Sequence, residues 1–305
     1  MTPTTMSDNA TRTIRTMAVC LGFGLAVLSV RAGPVLDRIR QDGRIVIGHR
    51  EASVPFSYLD DDRKPVGYAI DLCLKITEAL RKKLALGSLP IEYVPLTSAT
   101  RIAAVADGKV DLECESTTNN AERRQKVAFA VPHYITGARY LVRADSLIRE
   151  LPGFEGKTLA STAGTTPLNA VNAANRERLL GIRIVEVPDH VRGVEMVEKG
   201  EADGFVMDEV LLFGLIASRS DPSRLKVVGK YLTTEALGIM LPKTDPEFKQ
   251  IVDGEIKRLI HSREATAIHD RWFVQPIPPK GRSLGLPMNY LLKDFWKYPS
   301  DFVPN

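Results

Sequence analysis

A two-lobed α/β fold is what this sequence predicts, and two observations predict it. From Gly43 onward, short β-branched runs alternate with segments of helical periodicity, the pattern of a parallel sheet covered by helices. The run Ala104-Val-Ala-Asp-Gly108-Lys-Val-Asp111-Leu is also echoed 92 residues later by Met196-Val-Glu-Lys-Gly200-Glu-Ala-Asp203-Gly. In each copy a helical run ends at Gly, where a left-handed residue suits a helix terminus, and Asp then precedes a new apolar stretch. The echo suggests two lobes on one plan. Chance recurrence of a common helix–Gly–strand unit would leave the same trace.

The elements follow in order. Gly43 to Gly48 reads as a strand. After Gly67, Ile70, Cys73, Leu74, Thr77, Leu80 and Leu84 recur at helical steps, with Arg81, Lys82 and Lys83 opposite. Ile91 to Val94 is a strand, Thr100 to Asp107 a short helix and Val110 to Cys114 a strand. Lys157 to Ser161 is a strand, and Pro167 opens a helix running to about Arg178. Ile182 to Val187 is a strand, Gly193 to Lys199 a helix, and Phe205 to Met207 a strand ending at Asp208. Leu237 to Leu241 and an amphipathic helix around Phe248 to Ile260 complete the plan. Residues 274–305, with six prolines, read as an irregular strap.

Length and composition set the class. At 305 residues, 44% hydrophobic and 26% charged, the chain falls in the globular range, which excludes disorder, collagen-like repeats and a disulfide-dense mini-fold. The net charge of +4 comes from scattered basic residues, so no nucleic-acid partner is expected. Residues 1–32 differ from the rest. Arg12 and Arg15 precede an apolar run from Met17 through Val30, and Val30 and Ala32 supply small side chains before a cleavage point after Ala32, the anatomy of a secretory signal peptide. The run is shorter than the roughly 20 residues that span a bilayer. Removing the segment leaves Cys73 and Cys114, 41 apart, read as two buried free thiols.

Signatures of metal and nucleophile chemistry are missing: there is no His-Glu-x-x-His, Cys-x-x-Cys or Gly-x-Ser-x-Gly, and the five His show no metal-ligand spacing. No metal or cofactor is expected. Polar residues gather instead at strand ends and loops: His49-Arg50-Glu51, Ser98 and Arg101, Ser116 to Asn120 with Arg123, Thr165 and Thr166 at a helix start, His190 and Asp208. Ligands of open α/β sheets bind at such carboxyl ends. Arg50, Arg101 and Arg123 suit bidentate carboxylate recognition, amides at Thr165 and Thr166 suit an anion, and Asp208 suits an ammonium. A ligand with two carboxylates and one ammonium matches the set.

The runs Gly-His-Arg-Glu-Ala-Ser-Val-Pro-Phe-Ser-Tyr (48–58), Glu-Cys-Glu-Ser-Thr-Thr-Asn-Asn (113–120) with Glu122-Arg123, Ala-Gly-Thr-Thr (163–166), Asp189-His190 and Ile277-Pro-Pro-Lys280 resemble the bacterial periplasmic amino-acid-binding proteins of transport family 3. The likeness is greatest to the glutamate/aspartate-binding members that serve ABC importers. It extends from Leu36 to the C-terminus. The resemblance implies the type II periplasmic-binding-protein fold, each lobe a central sheet flanked by helices, with two hinge strands. It places lobe 1 at 33–136 plus 234–273, lobe 2 at 137–233 and a C-terminal strap at 274–305. It also implies a monomeric, non-enzymatic periplasmic receptor that delivers its ligand to a membrane permease. Arg123, Thr118 and Thr166 would hold the ligand α-carboxylate, and Ser116 and Asp208 the ammonium. Arg50, Ser98, Arg101 and His190 would surround the side-chain carboxylate. Two departures stand out: Glu115 where the family usually has Gly, and Val191-Arg192 in place of small polar residues. The rival reading is an exported dehydratase of the cyclohexadienyl or arogenate type on the same fold, with Glu115 or His190 as its acid/base.

Overall fold

Gly43, at φ 64°, ends the first helix in the left-handed conformation and turns the chain into the first strand. In the computed structural model, which describes residues 33–303, α1 (Pro34–Asp42) leads to β1 (Ile45–His49). A small antiparallel meander of β2 (Ala52–Ser53), β3 (Ser57–Leu59) and β4 (Pro65–Val66) follows. Then come α2 (Tyr68–Lys83), β5 (Ile91–Pro95), α3 (Arg101–Ala106), β6 (Leu112–Glu113), α4 (Ala121–Arg124) and β7 (Ala128–Phe129). The chain crosses over at β8 (Tyr134–Thr136). It continues through β9 (Ala138–Arg143), β10 (Thr158–Thr162), α5 (Thr166–Glu177), β11 (Arg183–Val187), α6 (His190–Glu198), β12 (Gly204–Asp208), α7 (Glu209–Ala217) and β13 (Leu225–Val228). It returns through β14 (Glu235–Leu237) to β15 (Met240–Leu241), α8 (Pro246–His261), α9 (Glu264–Phe273) and α10 (Tyr290–Phe295). The signal-peptide reading of residues 1–32 lies outside the described residues.

These strands make a two-lobed α/β architecture. One five-stranded sheet runs β5-β1-β6-β15-β7 and the other β11-β10-β12-β9-β13. Both are parallel at the core, β5-β1-β6 and β11-β10-β12, as the alternating pattern predicts, and antiparallel beyond it. Between them β8 and β14 pair antiparallel, Thr136 opposite Glu235. The internal echo is a structural repeat. Gly108 and Gly200 both have φ near 70°, at 68° and 72°. Asp111 exchanges two hydrogen bonds with Val46, its N–H to the carbonyl and its carboxylate from the N–H, both at 2.8 Å. Asp203 makes the same exchange with Thr158, at 2.8 and 2.9 Å.

Packing explains the helices. α2 buries Ile70, Cys73, Ile76 and Leu80, each worth about 1.5–3 kcal/mol of apolar transfer for the aliphatic ones. It leaves Lys82 and Lys83 in solvent. The reading of Cys73 and Cys114 as free thiols is corrected: they form a disulfide, with Cα atoms 6.3 Å apart. Cys73 on α2 faces Cys114 just after β6, a proximity that a spacing of 41 residues does not reveal. The predicted strand from Leu237 to Leu241 is divided. Gly238 and Ile239 pass from the crossover pair into the first sheet, so β14 and β15 belong to different sheets.

The strap beyond α9 touches both sides of the crossover. Tyr58 donates its hydroxyl to the Pro278 carbonyl at 2.7 Å. Four residues on, Arg282 Nη1 donates to the carbonyls of Ala217, the last residue of α7, and Arg219 beyond it, at 3.0 and 2.6 Å. Asn289 Nδ2 then reaches the Ile135 carbonyl in β8 at 2.7 Å, and Trp296 Nε1 the Pro132 carbonyl at 3.3 Å.

Candidate ligand-binding site

The site forms where strand ends of both sheets meet. Arg50 follows directly on β1. Its backbone N–H donates to Ser57 Oγ at 2.9 Å, which fixes the turn, and its Nη1 donates to Ser98 Oγ at 2.7 Å and Glu115 Oε2 at 3.2 Å. Arg101, the first residue of α3, pairs through Nη1 with Glu115 Oε1 and stands 4.0 Å from Glu113 Oε1. Its Nε is buried without a partner among the described residues. Glu115 is fully enclosed, at 0% exposure.

Thr117 Oγ1 lies 2.9 Å from Glu113 Oε1 and 3.0 Å from Glu115 Oε1. One hydroxyl hydrogen serves a single acceptor, so one carboxyl must carry its own proton for both contacts to hold. Burial pushes Glu113 up to about 7, against the pull of Arg101, which makes Glu113 the proton holder.

The opposite pole is built around Arg123, placed by α4. Asn120 caps that short helix by accepting from the Arg123 N–H at 2.9 Å. The guanidinium donates to the Thr118 carbonyl at 2.9 Å and to the Gly164 carbonyl at 3.2 Å. Thr118 Oγ1 lies 3.1 Å from Thr166 Oγ1, which donates to Glu235 Oε2 at 2.9 Å. Thr165 is the N-cap of α5, accepting from the Leu168 N–H at 3.4 Å while donating to the Thr162 carbonyl at 2.7 Å. Desolvation lowers the pKa of all three guanidiniums, that of Arg101 to about 9, so an anion entering here relieves a cost already present.

His190 opens α6, with Nδ1 at 2.8 Å from Thr162 Oγ1. Burial and the charges of Arg50 and Arg101 hold it well below its usual range, hence neutral. Asp208 ends β12 at 3% exposure, and its Oδ1 has no partner among the described residues. Burial and the nearby Glu235 push its carboxyl well above the usual carboxylate range. A cation beside that oxygen would reverse the shift.

Eight of the ten residues singled out from the sequence line one small cavity: Ser98, Arg101, Ser116, Thr118, Thr165, Thr166, His190 and Asp208. Arg50 and Arg123 stand at its two ends through their bonds to Ser98 and Thr118. The cavity measures about 10 Å³, far less than an amino acid, so this is a closed conformation that must part to admit a ligand. Arg192 turns away, donating to Glu201 Oε2 at 2.7 Å on the outside of α6. Thr162 and Glu235 were not singled out from the sequence, while Glu113 and Thr117 appeared only inside longer runs and were given no role.

Residues 45–275 match the family described as bacterial extracellular solute-binding proteins, family 3. The chain belongs to that family. Among family relatives, a glutamate/aspartate import solute-binding protein of Salmonella typhimurium is 40% identical over 274 residues, 90% of this chain and 91% of that one. An L-glutamate/L-aspartate-binding protein of Pseudomonas aeruginosa is 42% identical over 267 residues, 87% of this chain and 88% of the other. Among solved structures, an ancestral amino-acid-binding protein described as a precursor of cyclohexadienyl dehydratase superposes with a TM-score of 0.66 at 26% identity, covering 78% of this chain and 98% of that one. An ancestral arginine-binding protein bound to glutamine gives a TM-score of 0.67 at 23% identity, over 76% of this chain and 98% of the other, a likeness of fold.

Proposed function

We propose that this chain is an exported solute-binding protein that captures L-glutamate or L-aspartate between its lobes and delivers it to the permease of an ABC-type amino-acid importer. The observation that carries the reading is a buried cavity lined by Arg101 and Asp208 and flanked by Arg50 and Arg123, which bond to its lining residues Ser98 and Thr118. The names of the Salmonella and Pseudomonas relatives support the same ligand class. Arg123, with Thr118 and the start of α5 at Thr165 and Thr166, receives the α-carboxylate, where a helix N-terminus adds favourable dipole charge. Asp208 and Ser116 receive the ammonium. Arg50, Ser98, Arg101 and His190 form the pole that meets the side chain.

The lobes are residues 33–136 with 234–273, and residues 137–233, with 274–305 as the strap. A ligand touching both lobes stabilises the closed form by its differential affinity, and the closed form is what the permease reads. The disulfide suits an oxidising compartment, in keeping with removal of residues 1–32 on export to the periplasm. The protein acts as a monomer and is not an enzyme. The acid that a dehydratase on this fold would use, Glu115, is committed to two guanidiniums.

Thermal-shift and calorimetric titration with the twenty amino acids, succinate and prephenate test the reading. A ligand at a hundred times its Kd adds about 2.7 kcal/mol of stability. Stabilisation by glutamate or aspartate, recovered unchanged, is expected. Turnover of prephenate, or no response to any amino acid, overturns the proposal.

A further inference from the structure

The geometry points to Glu115 as a specificity-determining residue that broadens the ligand class from acidic amino acids to their side-chain amides. The inference rests on the receptor reading above and concerns the pole of the pocket that meets the ligand side chain. There Arg50 and Arg101 both face a carboxylate, and that carboxylate is the protein's own: Glu115 Oε2 lies 3.2 Å from Arg50 Nη1, and Oε1 pairs with Arg101 Nη1. Arg50 and Arg101 supply two positive charges, and Glu115 alone returns one of them. Glu113, 4.0 Å from Arg101, returns the second whenever it ionises. With Glu113 holding its proton the pole keeps one net positive charge instead of two, and a second ligand carboxylate would enter beside a buried negative charge.

The hydrogen-bond inventory points the same way. Arg101 Nε is an enclosed donor with no acceptor among the described residues. Glu115 accepts from Arg50, Arg101 and Thr117, and a carboxylate has about four acceptor positions, so one remains. Arg101 lines the cavity and Glu115 is enclosed behind it, so a ligand group reaching both would have to offer an acceptor to the one and a donor to the other, as a carboxamide does with its oxygen and its NH2. A carboxylate satisfies the donor and opposes the acceptor.

Calorimetric titration of the protein and of its Glu115→Gln and Glu115→Gly variants with L-glutamate, L-glutamine, L-aspartate and L-asparagine tests this. The wild type should bind glutamate and glutamine within about tenfold of each other. Glu115→Gln, which keeps the shape and removes the charge, should tighten glutamate by at least about tenfold and leave glutamine within about threefold. Glu115→Gly should widen the preference for glutamate further. A wild-type preference for glutamate above about a hundredfold, unchanged in Glu115→Gln, overturns the inference and leaves the receptor reading standing. Failure of all four amino acids to bind any of the three proteins overturns both. The wild-type ratio alone is decisive if the variants fold poorly.

Discussion

The guanidinium of Arg123 bridges the two halves of the chain, holding the Thr118 carbonyl at 2.9 Å and the Gly164 carbonyl at 3.2 Å. Arg123 belongs to the first sheet's side of the crossover and Gly164 to the turn after β10 in the second. The residue proposed to hold the α-carboxylate is thus also a clasp between the halves, which couples ligand binding to closure.

Arg123→Ala should weaken amino-acid binding by about 2–5 kcal/mol, because a desolvated carboxylate loses its charged partner. At the other end of the backbone-recognition pole, Asp208→Asn should weaken glutamate while sparing succinate, which has no ammonium. Calorimetry on both variants checks this. Equal losses of glutamate and succinate in Asp208→Asn would remove the ammonium assignment.

Gly164 has φ 75°, and a Cβ there would lie 2.7 Å from the Ser98 carbonyl oxygen and 2.9 Å from Ala99 Cα. Gly164→Ala should therefore prop the halves apart. Gly156→Ala is the control, since Gly156 has φ 66° with nothing within 4 Å of the added carbon. Both carry left-handed backbone strain of about 1 kcal/mol. Only the first should lower ligand affinity and keep the scattering radius of the liganded protein at its ligand-free value.

Cys73 and Cys114 close a loop of 41 residues within the first half. Chain-entropy arguments put the stabilisation at about 4 kcal/mol, so the double Ser variant should lose about 2–4 kcal/mol in urea denaturation. Ligand affinity should survive, because neither sulfur lines the cavity.

Buried titratable groups give the stability two opposed pH limbs. Burial pushes His133 down to about 3 from 6.5, so the unfolded chain takes the proton first and stability is lost as the pH falls below 6.5. Glu113 has the reverse sign. Its folded value of about 7 exceeds 4.5, so its contribution is complete below pH 4.5 and lost as the pH rises through about 7. Glu113→Gln should gain on the wild type by up to about 3 kcal/mol across that window. Denaturation at about pH 5 and about pH 8 measures the gap; a gap that does not widen with pH contradicts the assignment.

Much of this architecture was legible because it is periodic. The parallel strands β1, β5, β6 and β10 to β12 sit between amphipathic helices, and the repeated Gly–x–x–Asp unit marks the same helix-to-sheet junction twice. α7 was not legible. Glu-Val-Leu-Leu-Phe-Gly-Leu-Ile-Ala is apolar on every side, so no helical face emerges from its pattern. α9 and the β2–β4 meander were also missed. The division of Leu237 to Leu241 between two sheets is a long-range event without a local trace. The candidate-site residues left a trace as strand-end polar groups and family runs, but the capture of Arg50 and Arg101 by Glu115 left none.

The strap has a mechanical consequence. Within four residues it is fastened to Tyr58 on one half and to the end of α7 on the other, outside the ligand cavity. Any swing that widens the mouth must stretch or carry this tether, a segment remote from the ligand cavity. Loading and unloading speeds can then change through Arg282 or Tyr58 while every pocket residue stays the same.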